Sequence, residues 1–337
     1  MFDASGHSQR ATGWPMQTRM SNPAPSPPRP RPIETAPIDR RGQVLPPGWL
    51  DHAPVTRALI ALNVAVFVVQ LVLTRGAAFR HLPAHEALAF GASDSLATVG
   101  ENRWETLITA CFLHDGLLHI AFNMAALLQA GPLVERAVGS ARMAPMYLVA
   151  GASGNALSVA QAWLARGAQV TIGASGAITG VLAAALVVGW RIQGWRGPLT
   201  QAMARWLGIV LAFGVLANFG GGNIANAAHA GGAMAGAAIA AMWRRGHRYS
   251  KRATTGILAA CGGVVVASIG VVGWHDFSDP FAAMGLQERR DFAADAINEG
   301  RCGDAYDGLR SVERLRAKMA PVTPLRSRYL AACEPRQ

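Results

Sequence analysis

The sequence predicts an all-α fold, a polytopic bundle of helices that crosses a membrane seven times. Of its 337 residues, 51% are hydrophobic and only 15% are charged, whereas about a quarter of the residues in a soluble domain carry a charge. The apolar residues are gathered in blocks close to the length of about 20 residues that a helix needs to cross a bilayer. Arginines cluster at the ends of these blocks, as is typical of membrane proteins.

Seven apolar segments are the candidate transmembrane helices. They cover residues 55–74, 113–133, 143–165, 175–195, 202–219, 226–243 and 254–274. The first and the seventh are the clearest by hydropathy, whereas the middle segments are interrupted by glycine and serine. Small residues are common inside membrane bundles because they let helix backbones approach closely.

The composition divides the chain into four parts. Residues 1–50 carry ten prolines and six arginines, and such a segment cannot bury enough apolar surface to fold, so we expect a disordered cytoplasmic tail. Residues 51–245 hold the first six helices, and residues 246–275 hold a basic loop and the seventh. Residues 276–337 mix ten acidic with ten basic residues, and we expect a helical hairpin outside the membrane.

The distribution of basic residues predicts the orientation of the bundle. Arginine and lysine gather in the N-terminal tail and in the loops after the second, fourth and sixth segments, but are absent from the loop at 220–223. Because cytoplasmic loops are rich in these residues, the N-terminus is expected in the cytoplasm. The second, fourth and sixth helices then begin at the outer face. The composition favours a bacterial inner membrane.

Polar residues occupy these three outer helix ends. Ser175 opens the fourth segment within the sequence GASG at 173–176, and His229 lies near the start of the sixth. His119 and Asn123 are four residues apart in the second segment and therefore share one helical face. Polar side chains inside membrane helices are costly, so each is a candidate functional residue. The predicted orientation brings all four to a similar depth.

A serine and a histidine that can meet form the smallest pair for nucleophilic catalysis. Ser175 at a helix N-terminus feels the positive end of the helix dipole, although a simple N-cap serine is the alternative. Small-residue faces at Gly176-x-x-x-Gly180 and Gly232-x-x-x-Gly236 would let the fourth and sixth helices nearly touch. His229 would then reach Ser175 as general base. No carboxylate is evident at this depth, so a dyad is expected.

His114, His119 and Asn123 allow two interpretations. A metal site is disfavoured because the sequence lacks H-E-x-x-H and has no acidic residue at ligand spacing within the apolar segments. We therefore expect no metal and no cofactor. Instead, His119 and Asn123 are expected to donate hydrogen bonds to an oxyanion. His114 is expected to be structural and to hold the preceding loop to the second helix.

The remaining serine and cysteine residues have simpler interpretations. A second GASG at 151–154 lies inside the third segment, where Ser153 is expected to pack between helices. Cys302 and Cys333 lie in the C-terminal part and would form a disulfide if that side is an oxidising compartment. Cys111 and Cys261 are expected to be buried thiols.

The net charge of +11 does not indicate nucleic-acid binding. The basic residues lie in the tail and at the ends of apolar segments, which fits membrane orientation and anionic lipid. Membrane lipids are therefore expected partners, and nucleic acid is not. A transporter would be expected to carry a paired or ion-linked charge at mid-membrane, which these segments lack.

Together these residues resemble the rhomboid family of intramembrane serine proteases over residues 55–245. The motifs that carry the resemblance are FLH at 112–114, H-x-x-x-N at 119–123, G-x-x-x-E at 131–135 with Arg136 and Gly139, GASG at 173–176 and AH-x-x-G at 228–232. The family implies Ser175 as nucleophile and His229 as general base. It also implies an oxyanion hole from the Ser175 N–H, His119 and Asn123. Its substrates are single-span membrane proteins cut near the outer face.

The sequence departs from the family pattern at two positions. The family usually has arginine after the loop tryptophan, but here Glu105 follows Trp104, which puts the order of the loop between residues 75 and 112 in question. The family often has an aromatic residue stacked on the catalytic histidine, and this position is Thr179. We therefore expect a less firmly held His229. The alternative function is an inactive rhomboid-like protein that binds membrane helices. The pattern sets neither the oligomeric state nor the role of the C-terminal hairpin.

Overall fold

The computed structural model describes residues 53–165, 167, 169–219, 225–243, 249–316 and 323–333. The predicted tail at 1–50, the loop at 220–223 and the basic residues at 244–248 lie outside the described residues. The described residues include seven long helices between residues 54 and 278. They are α1 Pro54–Leu73, α2 Leu117–Val138, α3 Ser140–Leu164, α4 Ser175–Gln193, α5 Pro198–Phe219, α6 Asn226–Met242 and α7 Lys251–Ser278. The predicted all-α fold is confirmed.

The seven helices match the seven predicted segments, with shifts at their ends. Helix α2 begins four residues later than predicted because Gly116, at φ +94°, forms a turn before it. It also continues past Pro132 to Val138, since the last turn buries Val134 and Val138. Hydropathy follows the apolar run alone and therefore ended this helix too early.

Five of the described helices are long and apolar enough to cross a membrane, judged by length and composition. They are α1, α2, α4, α5 over Pro198–Leu216, and α7. Helix α6 has only 17 residues, and glycine, serine and asparagine reduce the hydropathy of α3. Both α3 and α6 pack against α4, so their small residues serve helix contacts. The chain is an integral, multi-pass membrane protein.

The tightest contact in the bundle joins α4 to α6. A Cβ atom on Gly232 would meet the carbonyl oxygen of Gly176, and one on Gly236 would meet that of Gly180. Helix α3 also approaches α6 closely, since a Cβ atom on Gly154 would lie 2.5 Å from a carbonyl oxygen of α6. The prediction that the two small-residue faces meet is therefore confirmed.

Glu135 holds the start of α1 against the end of α2. This side chain is only 2% exposed. Its oxygens accept the backbone N–H groups of Val55 at 3.0 Å and Thr56 at 2.8 Å, and the hydroxyls of Thr56 at 2.8 Å and Ser140 at 2.5 Å. The first N–H groups of a helix have no partner within the helix. A carboxylate there accepts hydrogen bonds from these N–H groups, and its negative charge is stabilised by the positive end of the helix dipole.

The C-terminal part contains three helices rather than the two of the expected hairpin. They are α8 Leu286–Asn298, α9 Cys302–Arg316 and α10 Thr323–Cys333, here named the C-terminal unit. Their apolar faces meet around Ala293, Ile297, Leu309 and Leu325. A disulfide joins Cys302 to Cys333, with 5.5 Å between their Cα atoms. It links the start of α9 to the end of α10.

Replacing Glu135 with glutamine should destabilise the bundle by about 3 kcal/mol, because buried donors lose a charged acceptor. Thermal unfolding of the purified protein in detergent would measure this loss. Glu299→Gln is the matched control, since Glu299 is exposed and bonds to Arg301. Equal melting temperatures for Glu135→Gln and the wild type would contradict the role of Glu135 as a cap of α1.

Candidate active site

Ser175 and His229 meet where α4 and α6 begin. The Nε2 atom of His229 lies 2.9 Å from the Oγ atom of Ser175. Ser175 is the first residue of α4, so its N–H belongs to the first turn, which has no partner within the helix. His229 is 5% exposed, and Ser175 is half-buried. This spacing permits a proton to pass from the hydroxyl to the imidazole.

The other edge of the His229 ring faces α5. A Cβ atom on Gly214 of α5 would lie 3.2 Å from the Nδ1 atom of His229. Beside it, the side-chain amide of Asn226 donates to the carbonyl of Gly214 at 3.2 Å. Nδ1 is buried and has no hydrogen-bond partner within the described part of the chain. The ring is thus held by packing against the backbone of α5, and Gly214 was not among the residues predicted from the sequence.

Thr179 occupies the position where the rhomboid pattern often has an aromatic ring. It is fully buried. Its hydroxyl donates to the carbonyl of Gly176 at 2.8 Å and lies 3.2 Å from the carbonyl of His229. A small polar residue here therefore bridges the backbones of α4 and α6. Thr179 acts on the backbone of His229, whereas a stacked ring would act on its imidazole.

Gly173 separates His119 from Ser175. A Cβ atom on Gly173 would lie 2.9 Å from the Nε2 atom of His119 and 3.7 Å from the Oγ atom of Ser175. The φ angle of Gly173 is +124°, which other residues rarely adopt. Its N–H donates to the carbonyl of Ala110 at 2.9 Å. Gly173 thus lets the chain pass between the two side chains.

The tautomer of His119 follows from its backbone partner. The Nδ1 atom of His119 accepts the N–H of Asp115 at 3.1 Å, so the neutral ring carries its proton on Nε2. That nitrogen is the one that faces Gly173. The carboxylate of Asp115 accepts the N–H of Leu82 at 2.7 Å and lies 2.6 Å from Nδ1 of His81. Asp115 was not predicted, and its place in the turn before α2 was the only signal for it.

Asn123 and His114 flank His119 on its own segment. Asn123 is buried and donates one amide hydrogen to the carbonyl of His119 at 2.9 Å, which leaves its second amide hydrogen for another acceptor. The His114 ring packs edge-on against that of His119, with 5.3 Å between centroids. The backbone of His114 exchanges two hydrogen bonds with the Gln70 side chain of α1. The turn before α2 is therefore fixed to α1 as well as to α2.

The loop that contains Glu105 carries a buried cation, Arg103. Arg103 lies on the other side of Trp104 and is only 1% exposed. Its Nε atom donates to Glu105 at 3.3 Å. The segment from α1 to α2, residues 74–116, is here named the first loop. It contains short helices at Ala84–Ala89 and Thr106–Thr109, and within it Glu105 forms an ion pair with Arg103.

Comparison with known proteins relates the chain to one family. The family described as Rhomboid domain matches residues 101–246. Rhomboid protease GluP of Bacillus subtilis is 33% identical over 177 residues, which are 51% of this chain and 32% of GluP. RHOMBOID-like protein 5 of Arabidopsis thaliana is 34% identical over 40% of this chain and 42% of its own length. The matches thus span less than half the length of these two relatives.

A third relative is covered more completely. The putative rhomboid protease YdcA of Bacillus subtilis is 30% identical over 186 residues, which are 54% of this chain and 85% of YdcA. The match therefore covers most of this relative.

Burial of His114 should make folding sensitive to acid. Its pKa in the folded protein is lowered from 6.5 to about 3, mainly because burial disfavours the charged ring and further because His119 is near. The neutral ring therefore stabilises the fold fully above pH 6.5, and this contribution is lost as the pH falls through the folded pKa. As the pH falls from 6.5 to about 3, the free energy of unfolding should decrease by up to about 1.4 kcal/mol per pH unit.

Unfolding in detergent across this pH window would measure the effect in the wild type and in His114→Gln. The slope against pH should be steeper in the wild type. His85→Gln is the control, since His85 is half exposed and stands apart from this turn. Equal slopes for the wild type and His114→Gln would show that His114 does not couple folding to pH.

Proposed function

The chain belongs to the rhomboid family, and from this premise we propose that it is an intramembrane serine endopeptidase with a Ser175–His229 dyad. The observation that carries this proposal is the 2.9 Å contact between the Nε2 atom of His229 and the Oγ atom of Ser175. A base within hydrogen-bond reach is what activates a serine hydroxyl. Among the described residues the Nδ1 atom of His229 has no hydrogen-bond partner, which supports a dyad over a triad.

The reaction follows from this geometry. As the Oγ atom of Ser175 attacks the carbonyl carbon of the scissile peptide bond, Nε2 of His229 accepts the hydroxyl proton. The tetrahedral intermediate then collapses, and His229 gives the proton to the departing amine. A water molecule attacks the resulting ester while His229 accepts its proton. Ser175 recovers its hydroxyl, and the second product leaves with a new carboxylate.

Three donors are available for the oxyanion that forms in both steps. The N–H of Ser175 is at the positive end of α4, where an anion is favoured. The Nε2–H of His119 faces Gly173, next to the hydroxyl of Ser175. The free amide hydrogen of Asn123 lies one turn further along α2. Donors fixed before the reaction stabilise developing charge without reorganising.

The substrates proposed are single-span membrane proteins. The dyad lies between helices of an integral membrane protein, so a peptide bond must reach it from within or beside the bilayer. We place the N-terminus in the cytoplasm of a bacterial cell, with residues 51–245 as the catalytic unit. The site is then near the outer face, where water for the second step is available.

Mapping a fluorophosphonate probe on the full chain in detergent is the direct test. Label should appear on Ser175, and the variants Ser175→Ala and His229→Ala should lose it. The same two changes should lower the cleavage of a single-span substrate in proteoliposomes by about a thousandfold or more. Ser153→Ala is the matched control, because Ser153 lies in the other GASG, within α3. It should retain both label and cleavage.

A folded wild-type protein that neither takes the label nor cleaves would overturn this proposal. The alternative would then stand, an inactive family member that binds membrane helices. Thr179 is the observation that favours this alternative, because it replaces the ring that stacks on the catalytic histidine in much of the family.

The hydroxyl of Thr179 should matter for turnover. Thr179→Val keeps the shape of the side chain but removes the bridge between the carbonyls of Gly176 and His229. We expect kcat to fall about tenfold with little change in KM, because a misplaced base weakens the transition state alone. Thr179→Ser keeps the hydroxyl and is the control. This expectation would be contradicted if Thr179→Val and the wild type had equal kcat values per labelled Ser175.

A further inference from the structure

A buried arginine joins the C-terminal unit to the first loop. Arg289 of α8 is only 1% exposed. Its Nη1 and Nη2 atoms donate to the two carboxylate oxygens of Glu101 at 2.6 and 3.1 Å, and its Nε atom donates to the carbonyl of Met284 at 2.9 Å. A two-pronged arginine–carboxylate pair fixes direction as well as distance. The first loop is thus held to α8 in one orientation.

A second buried arginine reaches in the opposite direction. Arg103 belongs to the first loop, and its Nη1 atom donates to the carbonyl of Ala282 at 2.8 Å. Its Nη2 atom lies 3.5 Å from the carboxylate of Asp276. Asp276 is near the end of α7, and Ala282 lies between α7 and α8. The first loop therefore bonds to the end of α7 and to the segment after it.

Apolar contacts and a small cavity complete this junction. A Cβ atom on Gly100 would lie 3.6 Å from the Cδ2 atom of Leu315 in α9. Glu101 and Arg103 also line a cavity of about 340 Å³, whose other wall includes His275 and Arg314. Neither Ser175 nor His229 lines this cavity, so the junction is separate from the candidate active site.

The first loop is bonded on its other side to the segment that leads into α4. Ser93 and Thr171 exchange two backbone hydrogen bonds, at 3.2 and 2.8 Å. Further along, the N–H of Gly173 donates to the carbonyl of Ala110 at 2.9 Å. Two residues beyond Gly173 the chain reaches Ser175. A continuous set of contacts therefore runs from α8 through the first loop to the nucleophile.

We propose that the C-terminal unit is a clamp that positions the first loop, and through it the segment 171–173 that leads to Ser175. Glu101, Arg103 and Arg289 are its positioning residues, and none touches Ser175. The disulfide between α9 and α10 helps to keep the unit intact. The activity part of this proposal rests on the proposed function. The structural part, that the clamp fixes the first loop, does not.

Energetics favour a clamp over an incidental contact. An exposed ion pair contributes little and is screened by salt. Removing one partner of a buried pair instead leaves an uncompensated charge, which is strongly destabilising. Glu101 and Arg289 are 14% and 1% exposed at their side chains, so breaking the pair should release the first loop from α8.

Three variants of the full chain test the clamp: Glu101→Gln, Arg289→Gln and the exchange Glu101→Arg with Arg289→Glu. Hydrogen–deuterium exchange would be followed in the first loop and in residues 169–173. Both segments should exchange faster in the single variants and more slowly again in the exchanged pair. Asp304→Asn is the control, since Asp304 of α9 pairs with Arg301 in solvent. It should match the wild type.

The second readout is cleavage of a single-span substrate, expressed per Ser175 labelled by fluorophosphonate. The single variants should lose roughly tenfold in kcat/KM, because a small displacement at a reactive centre is costly. Unchanged exchange in residues 169–173 and unchanged turnover per labelled site, even with a lower melting temperature, would overturn the clamp and leave a merely stabilising contact. If the wild type shows no label and no cleavage, the proposed function fails, and the exchange data still decide whether the first loop is clamped.

Discussion

The candidate site exists because α4 and α6 approach each other at backbone distance. A serine side chain is short, so a hydrogen bond of 2.9 Å to a histidine on another helix requires the two backbones to lie almost in contact. Glycine at 176, 180, 232 and 236 provides that contact, because any Cβ atom would meet a carbonyl oxygen of the facing helix. Inside a membrane, helices associate through such packing, since lipid offers no hydrophobic drive. The same glycines that pack the bundle therefore align the candidate dyad.

Several polar side chains elsewhere in the bundle bond to the backbone of a neighbouring helix, as a bilayer interior favours. Glu135 caps the start of α1, and Arg191 donates to three carbonyls at the end of α6, those of Ala240, Ala241 and Trp243. The Nδ1 atom of His229 has no hydrogen-bond partner among the described residues, and Gly173 adopts an unusual backbone angle. A buried nitrogen without a hydrogen-bond partner among the described residues is a common feature of functional sites, and this one belongs to the ring that contacts Ser175.

Other contacts compensate for the two departures from the rhomboid pattern, at Glu105 and Thr179. The cation expected after Trp104 is supplied by Arg103 before it, and Glu105 becomes its partner. The aromatic ring expected at position 179 is replaced by a hydroxyl that bridges two backbones, while Gly214 of α5 supports the imidazole. The segment between α7 and α8 contributes to the first of these solutions, because Arg103 also donates to the carbonyl of Ala282.

The seven apolar helices, the small-residue faces and a shared depth for Ser175, His229 and His119 could all be predicted from the amino-acid pattern, because hydropathy and helical periodicity are local properties of the chain. The contacts that support these residues could not be predicted in this way, because they join segments that are distant in sequence. The backbone N–H of Asp115 sets the tautomer of His119. The type of side chain at position 115 does not predict this contact. Glu101 and Arg289 are 188 residues apart, and no spacing rule links them. The third helix of the C-terminal unit was missed because its sequence shows no clear apolar face. Its position is set by packing on α8 and α9. Local pattern fixes which groups can act, and packing fixes which of them meet.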